Sequence, residues 1–242
     1  MEKKIIGHEV PYLSAIGALS YLSNCTRPDI AFSVNLLARY SSSPTRRHWN
    51  GVKHIFRYLR DTTNMRLFYS KKSNLSLIGY ADAGYLSDPH QAKSQTGYVF
   101  TRGGTAISWK STKQTLKTTS SNHSEIIAMH EASRERMWLR SVTQHIQRSC
   151  GLPTMKDSPT TIFEDNAACI AQLKGGYIKG DQTKHISPKF FYTHELQKKG
   201  DIDVQQIRSS DNVADLFTKA LPTSTFKKLV YKIGTHQLTD LR

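Results

Sequence analysis

The hydrophobic period of this chain switches near residue 71, and the order of segments after the switch leaves few folds open. Residues 75–81 hold Leu75, Leu77 and Ile78 among small residues and read as a strand. Residues 96–101 and 105–110 read as two more, joined by Arg102-Gly103-Gly104, whose glycines suit a tight hairpin. Ser87-Asp88-Pro89-His90-Gln91, before that hairpin, is a loop by composition. Residues 119–147 carry the longest helical pattern, with Ile126, Met129, Ala132, Met137, Leu139 and Val142 on one face and Ser120 or Ser121 as cap. A linker at 151–158 leads to a strand at 160–163. Helices at 167–173 and 190–198, an alternating strand at 202–207 and a last helix at 212–221 follow. A hairpin run followed by strand–helix alternation implies an α/β mixed sheet with helices packed on its faces.

Before the switch the chain reads as helix. Tyr12, Leu13, Ile16, Leu19 and Leu22 form one apolar face. Arg27-Pro28-Asp29 interrupts it, and Pro28 suits the first turn of a second helix through Ile30, Phe32, Leu36, Leu37 and Tyr40. After a break at residues 41–45, a third helix sets Trp49, Val52, Ile55, Phe56 and Leu59 on one side. Arg46, Arg47, His48, Lys53, Arg57 and Arg60 are interleaved with them. That basic face is either simply solvated or a phosphate contact. The division this suggests is a helical segment at 1–70, a mixed-sheet domain at 71–225 and a C-terminal tail at 226–242.

Four acids fall where segments end or begin. Asp82 closes the first strand, Glu125 opens the long helix, Asp165 closes the fourth strand and Asp215 lies in the last helix. If the first and fourth strands lie side by side, Asp82 and Asp165 face one another, and Glu125 and Asp215 can close in from flanking helices. Several carboxylates so close stay ionised only with a cation among them. Hard oxygen donors favour Mg²⁺ or Mn²⁺, and two such ions about 3.5–4 Å apart suit displacement at a phosphate. The competing reading makes these acids helix caps and surface groups.

The formal net charge over 242 residues is +15, which favours a polyanionic partner, phosphate backbones first. No apolar run approaches 18 residues, so no membrane span is expected, and Met-Glu-Lys-Lys-Ile-Ile does not read as a signal peptide. Cys25, Cys150 and Cys169 are too few and too scattered for a disulfide framework, which fits a reducing, intracellular compartment.

Several motifs occur in order over residues 79–221. They are Tyr80-Ala81-Asp82-Ala83-Gly84-Tyr85, Ser94-Gln95-Thr96-Gly97-Tyr98-Val99-Phe100, Ser108-Trp109-Lys110-Ser111 and Ser120-Ser121-Asn122-His123-Ser124-Glu125. Glu164-Asp165-Asn166, Thr183-Lys184-His185-Ile186 and Ala214-Asp215-Leu216-Phe217-Thr218-Lys219 complete the series. With them the chain resembles the ribonuclease H domain of copia-type retrotransposon Pol polyproteins. Residues 11–70, with Thr26-Arg27-Pro28-Asp29-Ile30, resemble the end of the reverse transcriptase that precedes that domain. The polymerase fingers and palm have no counterpart here, so the sequence is expected to be a fragment or a truncated reading frame of such a polyprotein.

The resemblance implies a ribonuclease H-like fold with a five-stranded mixed sheet. It implies two Mg²⁺ or Mn²⁺ ions and cleavage of the RNA strand of an RNA/DNA hybrid, in a cytoplasmic particle or the nucleus. Carried over residue by residue, it makes Asp82, Glu125, Asp165 and Asp215 the catalytic and metal-binding acids. Asp211 is a rival for the fourth place that suits a helix cap better. Relatives often hold a histidine in the loop before the last helix. Here that loop is Arg208-Ser209-Ser210-Asp211-Asn212, which leaves His185 for proton transfer or a structural part, while His123 reads as a helix-start residue. Ser94, Thr96, Lys110, Ser121, Asn122 and Asn166 are the candidates for gripping the hybrid. A catalytically silent nucleic-acid-binding remnant is the first alternative, and an integrase or resolvase on the same fold the second.

Overall fold

The computed structural model describes residues 10–70, 76–88, 90–152, 158–178, 184–237 and 239. Leu75, Pro89, Thr183 and most of the linker at 151–158 lie outside the described residues.

The helical period before residue 62 folds as three helices. α1 (Tyr12–Cys25) is followed by a 3-10 turn (Pro28–Ile30) that runs into α2 (Ala31–Ala38), and α3 (Arg46–Asp61) returns along them. Tyr12, Ile16, Leu19, Ile30, Val34, Val52 and Ile55 form their shared core. The break at Arg27-Pro28-Asp29 is held from inside: the Arg27 guanidinium donates to both oxygens of Asp29 at 3.0 and 2.7 Å, and Tyr58 donates to Asp29 at 2.7 Å. A buried pair satisfied on every side fixes the corner between α1 and α2. Arg46, Arg47, Arg57 and Arg60 lie exposed on α3, and so does Phe56, which the spacing places on the apolar side.

The segments after residue 76 form β2 (Leu77–Asp88), β3 (Lys93–Arg102), β4 (Thr105–Lys113), α4 (Ser121–Ser149), β5 (Thr160–Glu164), α5 (Ala167–Gly175), α6 (Ser187–Lys199) and β6 (Ile202–Gln206). The five strands lie in the order β4-β3-β2-β5-β6. β4, β3 and β2 are antiparallel, whereas β5 and β6 run parallel to β2. This is a mixed α/β sheet, antiparallel on the β3–β4 side of β2 and parallel on the β5–β6 side.

Each face of the sheet has its own core. On one, Ala81, Tyr98, Phe100 and Ile162 pack with Ile126 and Met129 of α4, Leu173 of α5 and Phe190 of α6. On the other, Val99 and Ala106 pack with Val213, Leu216 and Phe217 and with Leu229, Val230 and Ile233. Ala31 of α2 joins this second core, and Trp109 donates from Nε1 to the Ser23 carbonyl at 2.7 Å. The N-terminal helices therefore dock on the sheet rather than standing apart from it.

Three expectations are corrected. The first strand does not stop at Ala81 but runs to Asp88, with its pairing register broken between Gly84 and Asp88, where Leu86 takes a positive φ of 50°. The helix expected at 212–221 is a 3-10 turn (Val213–Phe217), and Pro222 starts a new helix, α7 (Thr223–Lys232). The stretch after 226, expected as a tail, holds the rest of α7 and β7 (Thr235–Gln237), which pairs antiparallel with β1 (Met65–Leu67).

Candidate active site

The parallel register explains why two distant acids meet. Ile78, Gly79 and Tyr80 of β2 face Thr161, Ile162 and Phe163 of β5. Continued by two residues, that register sets Asp82 beside Asp165, just past the point where the parallel ladder ends. Carboxyl ends of neighbouring parallel strands are where open α/β sheets hold ligands. Glu125 comes from the second turn of α4, whose start is fixed by Ser120: its side chain accepts the His123 N–H at 3.2 Å. Each of Asp82, Glu125 and Asp165 offers a carboxylate oxygen within 4.8 Å of the other two.

Asp82 and Glu125 are buried and Asp165 is half-buried, and burial dominates the electrostatics of the first two. Desolvation raises the pKa of Asp82, against the pull of Lys219 and a hydrogen bond from Thr218. Desolvation and then the charges of Glu164, Asp82 and Asp165 push Glu125 well above the ordinary carboxylate range. The Oε2 atom of Glu125 is buried without a hydrogen-bond partner. An orphaned carboxylate oxygen beside two further carboxylates is the hard-oxygen donor set that a divalent cation takes.

Asp215 arrives from the opposite face of the sheet on the 3-10 turn. Burial and then the Asp82 charge raise its pKa to about 7. It is joined to the others through Lys219, whose Nζ lies 2.8 Å from Asp215 Oδ1 and 3.6 Å from Asp82 Oδ1. Burial works against the ammonium charge, but Asp82 and Asp215 outweigh it and raise its pKa. Two side chains pin the turn. Asn212, fully buried, donates to the Ala81 carbonyl at 2.8 Å and accepts the Ala214 N–H at 3.1 Å. Ser111 donates to the Phe217 carbonyl at 2.6 Å. Thr218 donates to Asp82 Oδ2 from the end of the turn.

The remaining candidates separate into inward and outward groups. Ser94 is fully buried and shares a hydrogen bond with Thr118 at 3.2 Å, and Thr96 accepts from Gln114 at 3.0 Å, so both hold the β3–β4 end together. Asn166 caps α5 by accepting the Cys169 N–H at 3.0 Å. Asn122 donates to Gln172 at 2.8 Å. Lys110 and Ser121 are exposed. His185 is exposed in the turn before α6. Burial and then the His185 charge lower the pKa of His123. Asp211 is not in the cluster: it faces Lys228 and Lys232 at 3.0 and 2.7 Å.

Sequence reasoning missed Glu164, Asn212, Thr218 and Lys219. Glu164 is completely buried beside the cluster. Burial raises its pKa well above the ordinary value, although Asn166 donates its backbone N–H to Oε1 at 3.1 Å. The signal for Glu164 was strand alternation: it shares a face with the buried Ile162. For Lys219 it was the spacing of four from Asp215.

No family model matches the chain. It is 34% identical over 228 residues, 94% of its length, to the Retrovirus-related Pol polyprotein from transposon TNT 1-94 of Nicotiana tabacum, of which it spans 16%. It is 40% identical over 130 residues to Secreted RxLR effector protein 161 of Plasmopara viticola, a match covering 54% of this chain and 92% of that protein. Among solved structures it is similar to LC11-RNase H1 in complex with an RNA/DNA hybrid. The TM-score is 0.43 and the identity 18%, over 59% of this chain and 94% of that one.

Proposed function

As a homologue of the retrovirus-related Pol polyproteins of copia-like transposons, of which it spans about a sixth, the chain carries, we propose, a metal-dependent ribonuclease H activity on the RNA strand of RNA/DNA hybrids. The observation that supports this most is the meeting of Asp82, Glu125 and Asp165 within 4.8 Å of one another at the end of the parallel strand pair. These three carboxylates would hold Mg²⁺ or Mn²⁺, and Asp215 would complete the donor set for a second ion. Divalent ions, when bound there, neutralise the cluster, activate a water and offset charge on the phosphate oxygens.

The chain's own residues prepare that chemistry. Thr218 fixes Oδ2 of Asp82, and Oδ1 faces Lys219 at 3.6 Å. Asn212 and Ser111 hold the turn that carries Asp215. Lys110 and Ser121 are the exposed candidates for hybrid contact, Asn122 is half-buried against Gln172, and Ser94, Thr96 and Asn166 are engaged in holding the framework. Discrimination of RNA from DNA rests on the 2′-hydroxyl and duplex shape. His185, exposed in the turn before α6, is the candidate for proton transfer. Residues 1–70 correspond, in this reading, to the end of the reverse transcriptase, and the protein acts in a cytoplasmic particle or the nucleus. No described helix is long and apolar enough to cross a membrane.

The experiment is cleavage of a labelled hybrid in Mg²⁺ by the wild-type chain and by the Asp82→Asn and Asp165→Asn variants. Loss of cleavage in both variants with hybrid binding retained is expected. Undiminished cleavage by both ends the reading, and salt-sensitive binding without cleavage by the wild type leaves only a binding module.

A further inference from the structure

We propose that Lys219 is a built-in counterion: it bridges Asp82 and Asp215 and gives way as a divalent ion enters the cluster. The inference rests on the metal-dependent reading above and adds a residue that controls how readily the site loads. The Lys219 Nζ lies 2.8 Å from Asp215 and 3.6 Å from Asp82. Asp82 also belongs to the three-carboxylate set. One carboxylate is thus shared between a resident ammonium and the proposed ion site, and two cations on a shared carboxylate repel each other.

The geometry of the lysine allows it to leave. Asp82 and Asp215 are held by buried neighbours, with side chains 3% and 9% exposed, whereas the Lys219 side chain is 41% exposed. Its four-carbon stem can swing the ammonium into water without moving the turn that anchors it. Thr218, the preceding residue, keeps Asp82 in place through its own hydrogen bond, so departure of Lys219 does not release the carboxylate. A bound dication replaces the attraction that the ammonium supplied, and the free protein avoids a cluster of unneutralised acids.

The test is Mn²⁺ binding to the full chain, read from the electron paramagnetic resonance signal of the free aqua ion. Lys219→Met is expected to bind Mn²⁺ about tenfold more tightly than wild type, because one unit charge close to the dication is gone. Lys219→Arg keeps the charge and is expected to stay near wild type, as is Lys228→Met, whose lysine pairs with Asp211 at 3.0 Å. Binding by Lys219→Met alone, with none by wild type, also supports the proposal. Equal or weaker binding by Lys219→Met overturns it while leaving the metal site standing. No binding by any chain overturns both.

A second measurement needs no substitution in the observed sample. In ¹³C-lysine-labelled wild-type protein, the Lys219 side-chain resonance, assigned by its absence from Lys219→Arg, is expected to move toward the exposed-lysine position as Mg²⁺ is added. A resonance that stays fixed through saturation overturns the proposal.

Discussion

Gly97→Ala tests how tightly the site geometry depends on the seat of the 3-10 turn. Gly97 lies on β3 directly opposite Asp82. A Cβ at that position would stand 2.6 Å from Thr218 Cγ2, 2.8 Å from Phe217 Cβ and 3.0 Å from the Ala214 carbonyl oxygen. All three belong to the turn that carries Asp215 or to its end. Restoring ordinary contact at 3.4 Å requires the turn to withdraw by 0.8 Å, and the backbone carbonyl cannot rotate away as a side-chain tip could. Overpacking of this kind costs about 1–3 kcal/mol. At this chain length each kcal/mol lowers the melting temperature by about 2–4 °C. Displacing Thr218 and Asp215 by nearly an ångström from Asp82 costs cleavage about 10²-fold. The assays are a thermal melt by circular dichroism and cleavage of a labelled hybrid in saturating Mg²⁺. Gly17→Ala is the control, because a Cβ there meets nothing within 4 Å and alanine favours the helix. A Gly97→Ala protein that melts with wild type and cleaves within twofold of it refutes the reasoning.

Four further outcomes follow from the same geometry. In EDTA the protein is expected to lose stability as pH rises from about 4 to about 7: Asp215 binds its proton up to about pH 7 folded and only near 3.8 unfolded, so the folded state holds more protons across that window. Asp82, Glu125 and Glu164 are shifted in the same direction, and a melting temperature higher at pH 8 than at pH 5 contradicts the account. Mg²⁺ at one hundred times its dissociation constant is expected to stabilise the chain by about 2.7 kcal/mol, read as a rise in melting temperature that EDTA reverses. Glu164→Gln keeps the side-chain shape and removes a charge that burial disfavours, so it should melt at or above wild type at pH 8 in EDTA, whereas a marked loss would mean that its charge is used. Asn212→Ala removes the tie between β2 and the turn and leaves the Ala81 carbonyl unpaired, with an expected loss of about 1–3 kcal/mol in denaturant titration.

The fold was legible where residues alternate or recur over several turns. The hairpin of β3 and β4, the long α4 and the three N-terminal helices each carry a periodic apolar face, and most of their core residues lie on it, although the period also picks out Leu13 and Phe56, which are exposed. β1 and β7 are three residues each, too short for a period to show, and they pair across 170 residues of sequence. The stretch at 212–221 has helical spacing, but Asn212 accepts the Ala214 N–H and pulls the chain into a tight 3-10 turn, and Pro222 then restarts it. Docking of α2 against the sheet left no local trace either: Asn35 and Arg39 meet Gln95 only through tertiary contact.

The acids of the site were legible for a different reason. Asp82, Glu125 and Asp165 sit beside apolar runs, where a carboxylate must have a partner, and the β2–β5 register brings two of them side by side. Thr218 gives no such signal, because a threonine near a helix-like segment is ordinary, and Lys219 gives only its spacing of four from Asp215. Ser94 and Thr96 looked like contact residues because they are polar, yet β3 is the central partner of β2 and β4 and buries them both.

The most direct measurement is strand-specific cleavage by the purified chain. A hybrid labelled on RNA in one sample and on DNA in another is incubated with Mg²⁺, and then with excess EDTA. The account predicts fragments of the RNA strand in Mg²⁺, an intact DNA strand, and no cleavage once EDTA is added. RNA cleavage that continues after EDTA is added, or a DNA strand cut as readily as RNA, would contradict it.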